Sequence, residues 1–230
     1  MFRPIKSPRV FFLAVFCLSF FPLAGLGVSY HVDSFQVQDG LPTNIVKAIA
    51  QDQNGIVWIA TDEGVSVYDG TGFENFLFDL PSNYVKSVKA ISGNRLLIIT
   101  DFGISVYENK RFTVLLPGHD KQRDGYVFYP KAVYEDSEGA LWISEPNAIV
   151  RWDHGDFQRF YFDEKHRADS YERSFHVFED ASNQLIVISQ RGGVFVFSRS
   201  QNAFLEVPVT FTDPSIDPAT FRVDESLLLP

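Results

Sequence analysis

The chain has 230 residues with 20 basic and 29 acidic side chains, which gives a formal net charge of −9. This acidity argues against a nucleic acid partner, because little in the chain could neutralise a phosphate backbone. A single cysteine excludes a disulfide framework and a cysteine-based zinc site. The 23 Phe, 9 Tyr and 3 Trp residues favour strands. The composition therefore predicts a folded, β-rich protein.

The N-terminal segment up to Gly27 has the pattern of a secretory signal peptide. Residues 1–9 carry three cations and no acid, residues 10–23 are almost entirely apolar, and small residues follow up to Gly27. The apolar run is short for a membrane span of about 20 residues, so cleavage after Gly27 is favoured over an uncleaved anchor. Cys17 follows Phe16, not a small residue, which disfavours a lipoprotein.

After export, the mature chain in the periplasm would contain no cysteine. Without the three cations of the leader it would carry 17 basic and 29 acidic residues, a net charge of −12. A domain without cysteine is indifferent to an oxidising compartment.

An internal repeat organises the sequence from residue 33 onward. Leu41-Pro42 in the first copy recurs in the second as Leu80-Pro81, and two weaker copies follow around positions 131–153 and 176–197. Equivalent aromatic side chains mark the four copies at Tyr68, Tyr107, Trp152 and Phe197. A nearly constant period of about 40 residues is typical of repeat architectures.

Each copy contains four short apolar runs separated by tight turns such as Asp52–Gly55. Turns this short allow only antiparallel pairing, and strands apolar on both faces require cover on both sides of each sheet. We therefore predict an all-β fold, a partial β-propeller of about four four-stranded antiparallel blades. The predicted propeller spans residues 33–207, with blades at approximately 45–79, 84–116, 130–162 and 174–207.

The two ends of the repeat region carry separate predictions. Ser34–Val37 occupies the place of a fourth strand without its first three, so we expect an orphan strand there. Residues 208–230 begin a degenerate further repeat or a linker.

A seven-bladed ring would need roughly 300 residues, so we expect a fragment of a longer sensor, closed by further blades or by a partner chain. An open sheet face predicts poor solubility or dimerisation of the isolated chain.

The first copy resembles the two-component regulator propeller repeat. The residues that carry the resemblance are Phe35 to Asn44, Ala48 to Asp52, Gly55, Trp58-Ile59, Thr61, Gly64 and Tyr68-Asp69-Gly70. Ala60 and Val65 replace the usual Gly and Leu. Later copies depart further: Ser144-Glu145 stands at the Gly-Thr positions, and Leu97 and Val187 stand in place of the Trp.

The resemblance implies the periplasmic ligand-sensing region of a signalling receptor, a hybrid histidine kinase or a diguanylate cyclase, often with a polysaccharide-derived ligand. The chain has no kinase nucleotide motif, cyclase signature or second apolar span, so we expect a module without its output domain and without enzymatic activity. No cofactor, metal or specific ligand-binding residue is predicted. The alternatives are a propeller glycosidase or lyase acting on polysaccharide and a purely structural interaction module.

Four groups of residues are candidate sites. Asp52-Gln53-Asn54-Gly55 resembles part of a calcium loop but lacks its closing Glu, so a hairpin turn is favoured. The histidines lack paired metal spacing and are interpreted as surface or packing residues: His31, His119, His154, His166 and His176. Asp62-Glu63, Asp101 and Glu145 could place carboxylates at one rim, although solvated acids at equivalent turns are favoured. Trp58, Trp142 and Trp152 could stack on sugars, although packing between blades is favoured.

Overall fold

The computed structural model describes residues 31–119, 124–163, 175–210, 212–213 and 215. The predicted signal peptide, residues 1–27, lies outside these residues, as does most of the segment 208–230. The repeats belong to one compact unit, Phe35–Pro230. Within the part of the chain described, no helix has the length and apolar character that crossing a bilayer requires.

The described residues contain four sheets, each a meander of four strands in which consecutive strands pair antiparallel. Sheet 1 comprises β1 (Val46–Gln51), β2 (Val57–Thr61), β3 (Gly64–Tyr68) and β4 (Phe73–Phe76); sheet 2 comprises β5 (Val85–Ile91), β6 (Arg95–Thr100), β7 (Gly103–Glu108) and β8 (Arg111–Pro117). Sheet 3 comprises β9 (Ala132–Glu135), β10 (Leu141–Ser144), β11 (Ala148–Asp153) and β12 (Asp156–Tyr161); sheet 4 comprises β13 (His176–Glu179), β14 (Leu185–Ile188), β15 (Val194–Ser198) and β16 (Ala203–Val207). The predicted all-β class with four-stranded antiparallel sheets is confirmed.

A carboxylate closes the first hairpin in sheets 1, 3 and 4. In sheet 1, Asp52 Oδ1 accepts the backbone N–H groups of Asn54 at 2.9 Å and Ile56 at 3.0 Å. Asp136 and Asp180 make the equivalent pairs of hydrogen bonds in sheets 3 and 4. These hydrogen bonds join residues that are close in sequence, so each turn is closed by its own residues.

The second carboxylate oxygen ties two of these turns to the core. Trp58 donates its indole N–H to Asp52 Oδ2 at 3.3 Å, and Trp142 donates to Asp136 Oδ2 at 2.8 Å. Both indole rings are buried, and a buried indole N–H needs such an acceptor.

The hydrophobic core lies between consecutive sheets. Trp58, Val65 and Leu96 belong to the cluster between sheets 1 and 2. The cluster between sheets 2 and 3 is aliphatic, whereas Trp142 and several phenylalanines fill the one between sheets 3 and 4. The first strands of successive sheets are neighbours, β1 of β5, β5 of β9 and β9 of β13, so they form the inner edge of the array.

Glutamates at the ends of two first strands bind the first hairpin turn of the preceding sheet. Glu135 at the end of β9 accepts the backbone N–H of Ser92 at 2.6 Å and the Ser92 hydroxyl at 2.7 Å. Glu179 at the end of β13 makes the same two contacts with Ser137, at 2.8 and 3.1 Å. Each glutamate therefore links its sheet to the preceding one.

The prediction of an orphan strand at Ser34–Val37 is wrong. Residues 31–36 lie outside any strand, and Val37–Asp39 forms one 3-10 turn that Gly40 ends. A strand needs a neighbouring strand for its backbone groups, whereas here the Gln36 N–H donates to the Asp39 carboxylate at 2.7 Å. Phe35 packs its ring against Tyr68, with 5.1 Å between centroids.

The position assigned to Val187 is also wrong. Phe178 pairs with Ile186, as Tyr134 pairs with Trp142, so Ile186 takes the Trp position in sheet 4. The error comes from a later turn. In sheet 4 the second hairpin closes from Ser189 to Gly193, one residue longer than the closure from Glu145 to Ala148 in sheet 3.

Candidate functional site: a lysine- and tyrosine-lined cavity

The inner first strands border a cavity of about 990 Å³. This volume matches that of small-molecule sites in proteins. All four first strands or the residues just before them contribute to the lining, which includes Lys47, Lys86, Lys89, Lys131, Tyr84, Tyr129, Tyr134, Asp101, Trp142, His176 and Gln190. Four of the five lysines that the structure describes lie here; the fifth is Lys110.

Irregular strand pairing occurs at two of these lysines. In sheet 1 the pairing steps from Val46 opposite Thr61 to Ala48 opposite Ala60, so Lys47 is the extra residue. The same step in sheet 2, between Val85 and Ser87, leaves out Lys86. A bulge of this kind turns a side chain away from the regular alternation of the strand. The repeat therefore places a cation at equivalent points of two adjacent inner strands, and Lys131 directly precedes β9 in the third.

Each of three lysines lies near a tyrosine ring. The Nζ atoms of Lys47, Lys86 and Lys89 lie 5.2, 5.6 and 5.1 Å from the ring centroids of Tyr84, Tyr129 and Tyr134, respectively. These distances fall within the range of cation–π attraction. The rings thus position the ammonium groups along the lining and add apolar surface beside them.

Lys89 is a partly buried cation held by a neutral acceptor. Its Nζ donates to the Val133 carbonyl at 2.8 Å, and among the described residues no carboxylate lies within ion-pair distance of it. Burial lowers the pKa of Lys89, and the charge of Glu135 opposes this shift. A buried cation without a carboxylate partner is costly, so an anion in the cavity would stabilise it.

Lys86 is more fully paired. Its Nζ forms an ion pair with Asp101 and donates to the Pro130 carbonyl at 3.2 Å. Among the described residues of the lining, Asp101 is the single carboxylate. With four lysines against one aspartate, the described lining has a formal charge of +3 in a chain whose net charge is −9.

The turn from second to third strand explains the position of Asp101. Strand pairing makes Thr61, Thr100, Glu145 and Ser189 equivalent, and all four are buried. Thr61 and Thr100 donate their hydroxyls across the turn to the carbonyls of Gly64 and Gly103, at 2.8 and 3.0 Å. The next position holds Asp62, Asp101, Pro146 and Gln190 in the four sheets; Asp101 and Gln190 line the cavity.

The expectation of a solvated carboxylate at Glu145 is therefore wrong. Glu145 is 1% exposed and takes the buried threonine position. Its carboxylate accepts the Arg159 Nε–H at 2.9 Å and the Phe128 backbone N–H at 2.8 Å. Burial raises the pKa of Glu145, and the hydrogen bonds from Arg159 and Phe128 oppose the shift. Glu145 therefore does not join Asp62 and Asp101 in a carboxylate rim.

The other acids of the predicted rim differ in their surroundings. Asp62 is partly buried, and its Oδ1 has no hydrogen-bond partner among the described residues. Glu63 is exposed. Asp101, the third member of the predicted rim, is held by Lys86.

The remaining sequence candidates lie apart. Asp52–Gly55 forms the hairpin turn described above, with its carboxylate occupied by backbone N–H groups and by Trp58. His31 and His154 pair with Asp33 and Asp153. His119 packs on Phe102, His176 lies on the cavity lining and His166 falls outside the described residues. Among the described side chains, no group of three His, Cys, Asp or Glu is arranged to hold a metal ion.

The tryptophans pack mainly between sheets. Trp58 and Trp142 are 3% and 1% exposed, and Trp152 is partly buried against the cluster between sheets 2 and 3. Trp142 also contributes to the cavity lining. Sequence reasoning missed the lysines, although Lys47, Lys86 and Lys131 stand at the same point of three repeats in an acidic chain. That recurrence was the available signal.

The comparisons with known proteins agree with this architecture. Residues 40–63 match the family model described as two component regulator propeller. No curated protein matches the chain. A solved extracellular domain of a hybrid two component system from B. thetaiotaomicron has a TM-score of 0.63 at 20% identity, over 78% of this chain and 27% of that chain.

Two other solved structures are similar at lower identity. Virginiamycin B lyase from Staphylococcus aureus has a TM-score of 0.53 at 15% identity, over 74% of this chain and 56% of that chain. An auxiliary nutrient binding protein from Bacteroides ovatus has a TM-score of 0.50 at 10% identity, over 75% of this chain and 44% of that one. In each of the three cases this chain spans less than two thirds of the other protein, and the likeness concerns the fold. The match over residues 40–63 and the likeness to these structures agree with the four sheets, which have the β-propeller fold.

Proposed function

We propose that this chain is the ligand-sensing propeller of an exported signalling receptor, and that the lysine- and tyrosine-lined cavity holds the ligand. The observation that carries the proposal is the convergence of four inner strands on one cavity with tyrosine rings and ammonium groups on its wall. Aromatic faces and a few charged groups in a concave site are typical of ligand recognition. The ligand is a small molecule or an oligosaccharide.

The signalling context is supported by the repeat at residues 40–63 and by the fold that the chain shares with a sensor extracellular domain. In this proposal the chain works outside the cytoplasm after export by its N-terminal segment. A kinase or a diguanylate cyclase carries the output, and further blades or a partner chain complete the ring. The propeller itself binds and does not catalyse.

Thermal denaturation of the full chain with a panel of neutral and acidic oligosaccharides tests the proposal. We expect at least one compound to raise the melting temperature, and Tyr84→Ala, on the cavity wall, to reduce that rise. Tyr161→Ala is the matched control, since Tyr161 is also exposed but lies outside the lining. An unchanged melting temperature with every compound, or equal losses in both variants, would refute the cavity as the sensor site.

A polysaccharide-cleaving activity is the second candidate, favoured by the fold shared with virginiamycin B lyase. Its acids would be Asp62 and Asp101. It requires that the full chain cleave a glycan and that Asp62→Asn or Asp101→Asn abolish the cleavage. The ion pair of Asp101 with Lys86 argues against this role, because it already occupies the Asp101 carboxylate.

A further inference from the structure

The charge of the cavity wall defines the ligand more closely. Four ammonium groups accompany one carboxylate on the described lining, whereas the whole chain is acidic. A concave surface of one sign in a protein of the opposite sign concentrates counter-ions locally. The positive lining is thus a local property of the site that runs against the overall composition.

The lysines also differ in the ion-pair partners that their ammonium groups already have. Lys86 has Asp101 as its partner, whereas Lys47 and Lys89 have no carboxylate within ion-pair distance among the residues that the structure describes. Lys47 is exposed beside Tyr84, and Lys89 is partly buried beside Tyr134. Two ammonium groups on the adjacent inner strands β1 and β5 are therefore available to an incoming anion.

From these contacts the geometry points to an acidic saccharide as the ligand, one that carries two or more carboxylate or sulfate groups. This inference rests on the proposed sensor function and names the chemical class that the same cavity takes. Lys47 and Lys89 bind the anionic groups through charge-assisted hydrogen bonds. The rings of Tyr84 and Tyr134 bind the apolar faces of the sugar rings.

Isothermal titration of the full chain with size-matched oligosaccharides tests this inference. The probes are oligogalacturonate for carboxylates, a chondroitin sulfate oligosaccharide for sulfates, and a malto-oligosaccharide as the neutral member. We expect one or both acidic probes to bind at least roughly tenfold more tightly than the neutral one, as expected for one charge-assisted hydrogen bond. The comparison of the two acidic probes identifies the anionic group. Added salt should weaken acidic binding.

Two variants assign the effect to the cavity. Lys89→Gln and Lys47→Gln should each weaken binding of the acidic probe roughly tenfold, with unchanged binding of the neutral probe. Lys110→Gln is the matched control, because Lys110 is the one described lysine outside the lining. Circular dichroism and the melting temperature of each variant show whether the fold is retained. Lys89→Arg retains the charge and should bind the acidic probe if Lys89→Gln proves unstable.

The outcomes separate the two proposals. Equal binding of neutral and acidic probes, still sensitive to Tyr84→Ala, would overturn the acidic class and keep the sensor. Binding of citrate without any saccharide, lost in Lys89→Gln, would support an anion site and overturn the saccharide part of the inference. Equal loss in Lys110→Gln and Lys89→Gln would overturn the assignment to the cavity. Binding of no probe would overturn the acidic saccharide, and the sensor proposal would then depend on the melting-temperature test with the wider panel.

Discussion

The turns between second and third strands differ in sheets 2 and 3, although the repeat makes them equivalent. Sheet 2 has a buried Thr100 followed by Asp101, which faces the cavity and pairs with Lys86. Sheet 3 has Glu145 in the buried position, held by Arg159, and Pro146 where the aspartate would be. The two turns therefore keep one carboxylate each, but only the one in sheet 2 lines the cavity. Single positions within the repeat therefore set the net charge of the cavity wall.

The largest effect is expected from breaking the buried ion pair of sheet 3. Arg159→Met would leave the Glu145 carboxylate buried without its cation, and loss of one partner of such a pair typically costs about 3–5 kcal/mol of stability. Equilibrium unfolding in urea measures the change in the free energy of unfolding. The double variant Glu145→Thr with Arg159→Met, which copies the buried residue of sheets 1 and 2, should recover much of the loss. A single variant as stable as the wild type would contradict the account.

The second prediction concerns the residues that close the same two turns. Gly103 has φ 137°, and a Cβ there would lie 2.5 Å from the Leu116 carbonyl oxygen. Gly103→Ala should therefore cost about 1–3 kcal/mol, whereas sheet 3 already holds Ala148 at the corresponding position. The reverse change, Ala148→Gly, should cost only about 0.5–1 kcal/mol, from backbone entropy. Equal losses in urea unfolding would show that the two turns do not differ in this way.

A third prediction changes the charge at the turns that hold Asp101 in sheet 2 and Pro146 in sheet 3. Pro146→Asp would add to sheet 3 the carboxylate that sheet 2 has, and we expect roughly fivefold weaker binding of an acidic oligosaccharide, equivalent to about 1 kcal/mol. Asp101→Asn would release Lys86 and should strengthen binding by a similar factor. Titration calorimetry of the two variants against the wild type measures both. Shifts in the same direction would contradict the electrostatic account.

The smallest effect is the pH dependence that follows from Lys89. Burial sets the pKa of Lys89 below its ordinary value of 10.5, so Lys89 loses its charge at a lower pH than an exposed lysine does. Binding of an anion should therefore begin to weaken at that lower pH. The same shift means that the neutral form is favoured in the folded state. The contribution of Lys89 to the free energy of unfolding therefore increases as the pH rises through the folded-state pKa towards the ordinary value. Affinity profiles of the wild type and Lys89→Arg, whose cation stays charged, check the first effect.

More of the fold than of the site could be predicted from the sequence. Tight Asp-x-x-Gly turns and the short, nearly constant period of the repeat restrict the chain to short antiparallel strands, and the four sheets agree with this. The orphan strand failed because pairing with a distant strand is not encoded in the segment itself, and residues near Ser34 bond locally instead. The position of Ile186 was missed because alignment by aromatic spacing hides one extra residue in a later turn.

The site was harder to predict, because burial decides which of its charged side chains face the cavity. The sequence shows Asp101 and Glu145 as two acids near two turns, but only strand pairing shows that Glu145 takes the threonine position. Its cation, Arg159, lies 14 residues later on β12, and no local pattern joins them. The lysines were within reach of sequence reasoning, since their recurrence in an acidic chain has no role in strand formation.

The glutamates that bind the preceding turn make neighbouring sheets depend on each other. The Ser92 N–H in sheet 2 has its acceptor on Glu135, 43 residues later in the chain, and Ser137 in sheet 3 has its acceptor on Glu179 in the same way. A truncation after sheet 2 would therefore remove the acceptor of Ser92 together with sheet 3. The cost of losing one sheet thus extends into the sheet before it.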